Sequence, residues 1–397
     1  MNILMPFWRK TAGDRNFYEH FFERLARAAG ELGHSVTRFE YAAPGEVLPA
    51  ERDRLYRQLL QNEFDFVLDL CCKGSVHLSE RVWDGSDAGE PLLDSVGVPY
   101  VGMLFDQVYF QVGLAAARAA RLYVTLPDAY HHEQLALIYP ELGLAGSVLV
   151  PPAVQPADDH STVAWGDRPV EVLYVGNIDP GMLRGRWLGG DCPALLNAVA
   201  DEALADASKP LHRCFQEVTS ALGQPATPQL ALYVLPLVEK LLRARLRYAV
   251  ILAAAKLGRR LCVVGSGWDG LELPADVTTL APVDYDAMLA MYGSAKICLN
   301  VSTYLGGADD RLFGGSVNGA LCMTNADRYA SESYGSDGGV EFYSMRQLED
   351  IPDRLHALLA DENNSAQRAG AAREVTLSQH TWRHRLQNII QVVSVKS

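Results

Sequence analysis

The sequence predicts an α/β protein of two doubly wound parallel sheets, and three observations carry that expectation. Short apolar runs alternate with helical patterns along the chain, the arrangement that buries a parallel sheet between two helical layers. At 397 residues the chain exceeds one ordinary core and fits two domains of about 150 to 220 residues. The alternation stops once, between Pro151 and Pro169, where Pro, Asp, His, Ser and Thr replace the apolar periodicity, and then starts afresh. The expected division is 1–165, 166–380 and a terminal helix, 381–397.

The first half opens on an apolar strand, Asn2 to Phe7. A helical pattern from Phe17 to Leu32 follows, with Phe17, Phe21, Leu25 and Ala28 at three- to four-residue spacing and Gly33 as its stop. His34 to Tyr41, Phe64 to Leu70, Pro99 to Phe105, Arg121 to Leu126 and Ser147 to Val150 read as strands, with helices over Leu55 to Gln61 and Tyr130 to Leu137. In the second half Val170 to Val175 is a strand ending on Gly176 and Asn177, and residues 194–256 read as helical with one break at Gly223 to Pro228. Leu261 to Val264 is a strand closing on Gly265-Ser266-Gly267, Val277 to Leu280 is another, and Tyr285 to Tyr292 is a helix. Ile297 to Leu299, Ala320 to Thr324 and Val340 to Tyr343 are the remaining strands. Helices over Met345 to Leu359, Ser365 to Glu374 and Thr381 to Val393 complete the pattern.

Composition narrows the function. The 49% hydrophobic and 21% charged residues fit a globular protein in water, and no apolar run approaches the ~20 residues that span a bilayer. The start MNILMPFWRK lacks the basic-then-apolar order of a signal peptide, so the cytoplasm is the expected compartment. A net charge of −13 argues against a general nucleic-acid binder, since phosphate backbones are held by clustered Lys and Arg; a local basic patch still suits one small anion. Seven cysteines scattered through apolar stretches read as small buried hydrophobes. No metal site is expected: His380 and His384 have the spacing of a zinc pair but lack a third ligand. The P-loop, the dinucleotide-binding Gly-x-Gly-x-x-Gly after the first strand and the Gly-x-Ser-x-Gly elbow are all missing.

The stretch from Ser294 to Asn325 holds most of the candidate site. A buried strand runs into Asn300, Ser302 and Thr303, polar groups gathered at a strand end. Asp309, Asp310 and Arg311 follow, and then a small-residue helix start at Gly314, Gly315 and Ser316, whose backbone N–H groups would suit a phosphate that Arg311 grips with two hydrogen bonds. Asp309 and Asp310 diverge as adjacent residues and read as a cap for the helix. In a parallel sheet Gly176-Asn177, Gly265-Ser266-Gly267 and Gly314-Gly315 converge on one edge, a cradle for a nucleotide diphosphate. Arg184 and Arg186 lie within reach of the same anion or on a solvated loop. His131 and His132 are either surface residues or a base. Ligands of paired doubly wound halves bind in the cleft at the carboxyl ends of the strands.

With those residues in view, the second half resembles the glycosyltransferase group 1 family, in particular the branch named after the spore-maturation protein CgeB. The resemblance runs through VLYVGN, VVGSGW, APVDYDAMLAMYGSAKICLNVS, RLF...NGALCMTN and HTWRHRL over about residues 170–390, and more loosely through VPYVGMLFDQ and VLVPPAV. It implies a GT-B fold, two Rossmann-like domains facing a cleft, and sugar transfer from a nucleotide-diphosphate donor with retention and no obligatory metal or other cofactor. It places Arg311 as the diphosphate-binding arginine of an Arg-x-Phe-Glu pattern, Asn300 and Ser302 on the donor side, and Gly319 as the small residue closing the helix. The acceptor stays unidentified; Asp106, at a first-half strand end, is the acceptor-side candidate. One departure stands out: Gly314 occupies the place of the glutamate that binds the ribose hydroxyls, with Asp310 the nearest substitute. That departure keeps open a catalytically degenerate nucleotide-sugar binder, and the architecture a sugar-nucleotide epimerase. The helical connection 194–245 is longer than the family's and is a candidate for acceptor binding or for a homodimer contact.

Overall fold

The structure, a computed structural model, describes the whole chain except residues 9–16, 42–53, 55–56, 62, 75–96, 112, 115–116, 118, 157–162, 184–191, 336–337 and 396–397. Two compact units form: Met1–Pro152 with Trp382–Ser397, and Ala153–Thr381. Part of the expected helix Leu55 to Gln61 lies outside the described residues. Among the described residues no helix is long and apolar enough to cross a membrane.

The first unit is built on β1 (Asn2–Trp8), α1 (Phe17–Glu31), β2 (Ser35–Tyr41), β3 (Phe66–Leu70), β4 (Tyr100–Met103), β5 (Leu122–Leu126), α2 (His131–Ile138) and β6 (Leu144–Leu149). Its six strands are parallel in the order β2-β1-β3-β4-β5-β6. β3, β4 and β5 are buried at every position, as a sheet covered on both faces requires. α1 lays Phe21, Phe22, Leu25, Ala28 and Ala29 into the core. The last helix of the chain, Trp382–Val395, belongs to this unit: the Trp382 ring stands 4.9 Å from that of Phe21, and Arg385 Nε donates to Pro151 O at 2.8 Å. β6 begins at Leu144, three residues before the expected Ser147, because its pairing to β5 takes in Leu144 and Gly146 across an irregularity of register.

The second unit contains β7 (Val170–Val175), α3 (Pro180–Leu183), α4 (Pro193–Ala205), α5 (Leu211–Ala221), α6 (Pro228–Ala254), β8 (Leu261–Val264), β9 (Thr278–Leu280), α7 (Tyr285–Ser294), β10 (Ala295–Leu299), α8 (Asp310–Val317), β11 (Leu321–Asn325), α9 (Arg328–Tyr334), β12 (Glu341–Tyr343), α10 (Ile351–Ala360) and α11 (Glu362–Gln379). The strands are again parallel, ordered β9-β8-β7-β10-β11-β12. The chain winds outward in both directions from the neighbours β7 and β10, so loops at their carboxyl ends turn to opposite faces and leave a crevice there.

Local chemistry explains where elements start and stop. The helical connection breaks at Pro210 as well as after Ala221, where Gly223 takes φ of +67°. Thr227 then caps α6, its Oγ1 accepting from Leu230 N at 3.3 Å. α10 begins at Ile351 instead of Met345, since Pro352 lacks an amide donor and fits only a first helical turn. α11 runs past the expected Ser365 to Glu374 at both ends, and Asp361 caps it through Asn364 N.

Candidate functional site

At the end of β7, Gly176 and Asn177 meet the Gly265-Ser266-Gly267 turn that follows β8. Ser266 N donates to Asn177 Oδ1 at 2.9 Å, and Trp268 Nε1 donates to Gly176 O at 2.7 Å. The two glycines of the turn are required by this stacking: a Cβ on Gly265 would lie 2.4 Å from Gly176 O, and one on Gly267 2.1 Å from Ile178 O. The Ser266 amide, read from the sequence as facing a phosphate, therefore spends its hydrogen bond on Asn177. Trp268 is buried, 5.6 Å edge-on to Tyr174.

β10 delivers the second group. Asn300 is buried just past the strand; its Nδ2 donates to Asp309 Oδ1 at 3.0 Å and Thr324 Oγ1 at 3.1 Å, while its Oδ1 accepts from Arg311 Nε at 3.2 Å. Asp309 caps α8 by accepting from Arg311 N and Leu312 N, and its Oδ2 takes Arg311 Nη2 at 3.3 Å. The guanidinium is thus aligned by two partners, is 23% exposed, and makes no hydrogen bond through Nη1 among the described residues. Burial works against its charge, yet Asp309 and Asp310 more than offset this and lift its pKa above the ordinary arginine range. Burial raises the Asp310 carboxyl, with Arg311 offsetting part of the effect. Ser302 is held elsewhere, its N–H donating to Asn325 Oδ1 at 2.7 Å.

One expectation is corrected. The helix starts at Asp310, four residues before Gly314, because Asp309 caps it. Gly314 and Gly315 therefore lie inside α8 and offer no open amides. A Cβ on Gly314 would meet Tyr292 Cε2 at 2.9 Å, and one on Gly315 would meet Cys322 Sγ at 2.6 Å; the small residues let α8 press onto α7 and the sheet.

The sequence reading missed the third group, on α6. Glu239, Arg243 and Arg247 recur every four residues along one helix face. Arg247 Nη1 donates to Asn177 O, Arg243 Nη2 donates to Glu239 Oε1 at 2.7 Å, and Thr303 Oγ1 donates to the same oxygen at 3.1 Å. Burial lowers the Arg247 pKa, and nearby Arg311 and Arg243 push the same way against Tyr174. A signal was present: Glu239 falls four residues after Leu235 and three before Leu242, on the buried side of the helix. Such a charge needs partners.

Asp106 belongs to the first unit, where it follows β4 and accepts from Gln107 N at 2.8 Å. Beside it His131 is buried with Nε2 2.9 Å from Gln107 Oε1, and Gln134 Nε2 donates to that oxygen at 2.9 Å. His132 contacts Ser147 near the surface instead. His380 packs on Phe313 at 4.7 Å, and among the described residues no group of three or more His, Cys, Asp or Glu is placed to hold a metal. Arg184 and Arg186 lie outside the described residues.

Comparison with known proteins adds to this geometry. Residues 243–391, fewer than half of the chain, match a family model described as glycosyl transferase-like. No curated protein sequence matches. Solved structures of similar fold include an alpha-glucosyltransferase in complex with UDP (11% identity, 99% of this chain and 100% of that one, TM-score 0.56). Anabaena HepE in complex with UDP and glucose aligns over 100% of both chains at 12% identity and a TM-score of 0.53. Sucrose-phosphate synthase of Thermosynechococcus elongatus covers 98% of each at 12% identity and a TM-score of 0.52. The fold is the two-domain Rossmann-like architecture of GT-B glycosyltransferases.

Proposed function

We propose that this chain is a glycosyltransferase that moves a sugar from a nucleotide-diphosphate donor to an acceptor, with retention at the anomeric carbon and without an obligatory metal. The observation that carries the reading is Arg311: at the crevice between β7 and β10, Asn300 and Asp309 fix two of its nitrogens and leave Nη1 open. A pre-aligned guanidinium in that position neutralises the charge that develops on a departing diphosphate, and preorganised donors of this kind supply the largest part of many rate enhancements. Nucleotide-bound relatives of the same fold and the glycosyl transferase-like match support the same conclusion. Asp106 is the acceptor-side candidate, and the Gly176, Asn177 and Gly265–Gly267 turns flank the donor. The CgeB-like branch and a cytoplasmic setting remain part of this proposal.

The test is a thermal-shift panel of nucleoside diphosphates and their sugars, followed by product analysis with and without acceptors. A ligand at a hundred times its Kd adds about 2.7 kcal/mol of stability. A stabilising nucleotide sugar that is then transferred supports the assignment; a panel without a single shift removes it. Gly314 favours a second reading, a nucleotide-sugar binder without turnover, since a carboxylate at that position is lacking. A shift with neither transfer nor hydrolysis identifies that case.

A further inference from the structure

We propose that Glu239, on helix α6, binds a pair of hydroxyl groups of the donor, a task for which Gly314 of α8 has no side chain. The inference rests on the donor reading above. At Gly314 the ring of Tyr292 fills the space a side chain needs, with Cε2 2.9 Å and Cδ2 3.3 Å from a Cβ built there. A carboxylate for sugar hydroxyls therefore comes from another position.

Glu239 is 3% exposed, and its two oxygens are treated unequally. Oε1 accepts from Arg243 Nε at 3.0 Å, Arg243 Nη2 at 2.7 Å and Thr303 Oγ1 at 3.1 Å. Oε2 is buried and has no hydrogen-bond partner among the described residues. A buried carboxylate oxygen without a donor is costly, so a fold retains one where a ligand completes it. Two further buried atoms of this unit have no hydrogen-bond partner among the described residues, Arg247 Nε and the Tyr174 hydroxyl oxygen; these two residues interact electrostatically with each other and with Arg311 and Arg243. A carboxylate accepts hydrogen bonds and repels phosphate, so the open Glu239 Oε2 matches a hydroxyl better than a bare anion. Thr303 ties this network to the strand end that also carries Asn300 and Arg311, and Arg243, 29% exposed, is its solvent-facing member. The hydroxyl pair belongs either to the ribose or to the transferred sugar, and the two sources separate experimentally.

The experiment measures affinities of the full chain and of Glu239→Gln, which puts an amide donor in place of one carboxylate oxygen. The ligands are the nucleoside diphosphate that binds best in a panel, its 2′,3′-dideoxy analogue, and the corresponding nucleotide glucose. The expected wild-type result is a 10- to 100-fold preference for a hydroxylated ligand over its stripped counterpart, the range of one or two hydrogen bonds to a charged acceptor. Loss of the ribose preference in Glu239→Gln assigns the ribose; loss of the glucose preference instead assigns the transferred sugar. Equal ratios in wild type and variant overturn the proposal while leaving the donor reading intact. A wild type indifferent to both sets of hydroxyls overturns it whether or not the variant folds, and a wild type that binds no nucleoside diphosphate overturns the donor reading as well.

Discussion

The carboxyl edges of the two sheets share a geometry and differ in chemistry. In the first unit the end of β4 and the start of α2 are joined by amide side chains, with Gln107 Oε1 accepting from Gln134 and from His131, while Asp106 and Asp128 each accept from a backbone N–H. In the second unit the same kind of edge carries Asp309, Asp310 and Arg311, faced by Glu239, Arg243 and Arg247. Both networks order their loops, and in the second unit Arg311 Nη1 and Glu239 Oε2 have no hydrogen-bond partner among the described residues. A doubly wound sheet thus fixes where a ligand goes, while the side chains at that address decide what the ligand is.

The sharpest way to break the comparison is Arg311→Ala. If the charged edge acts on a departing diphosphate, kcat with a nucleotide sugar falls by about 10²- to 10³-fold, as when one preorganised donor is removed elsewhere. Steady-state turnover at saturating donor is the measurement, and unchanged turnover would take the central role from this residue. Asn300→Ala follows. Asn300 is buried and serves Asp309, Thr324 and Arg311 together, so its loss leaves several polar groups unmet and costs about 1–3 kcal/mol of stability in urea unfolding. Its turnover defect should track the defect of Arg311→Ala in direction, because the guanidinium loses the oxygen that aligns it.

The two edges also differ in how far the sequence revealed them. The strand end at Asn300 and the Arg311 that follows are contiguous, so a reading along the chain finds them together. Glu239 reaches Thr303 across 64 positions of sequence, and no local pattern encodes that meeting. Only the placement of Glu239 between Leu235 and Leu242 hinted at burial. Gly314 and Gly315 misled for a related reason: glycine marks either an open amide or a close packing contact, and the partners that decide it here, Tyr292 and Cys322, are not marked locally. Alternating strands, by contrast, are set by local apolar runs, which is why the α/β class was legible.

On the first unit's edge the expected effects are smaller. Gln107→Ala leaves His131 Nε2 and Gln134 Nε2 without the oxygen they share, and should lower stability by about 1 kcal/mol in the same unfolding assay. Affinity for a nucleoside diphosphate should stay within about twofold of wild type by calorimetry, the scale of a few tenths of a kcal/mol. A large loss of nucleotide affinity would mean that the first unit's edge, too, takes part in donor binding.

The smallest effect concerns Asp310, and it separates burial from pairing on the charged edge. Burial raises its folded pKa above the unfolded value of about 3.9, and Arg311 offsets only part of that. The folded chain therefore holds the Asp310 proton more tightly than the unfolded chain does. By linkage, this group lowers stability as pH rises from the unfolded pKa through the folded one, and the loss stays constant above it. Asp310→Asn cannot ionise, so its stability relative to wild type should climb across that window and level off by neutral pH. Urea midpoints for both proteins between pH 3 and pH 7 measure the difference. A difference that falls with rising pH would show the opposite: that the attraction of Arg311 outweighs burial, and that the aspartate is held in its charged form as part of the clamp.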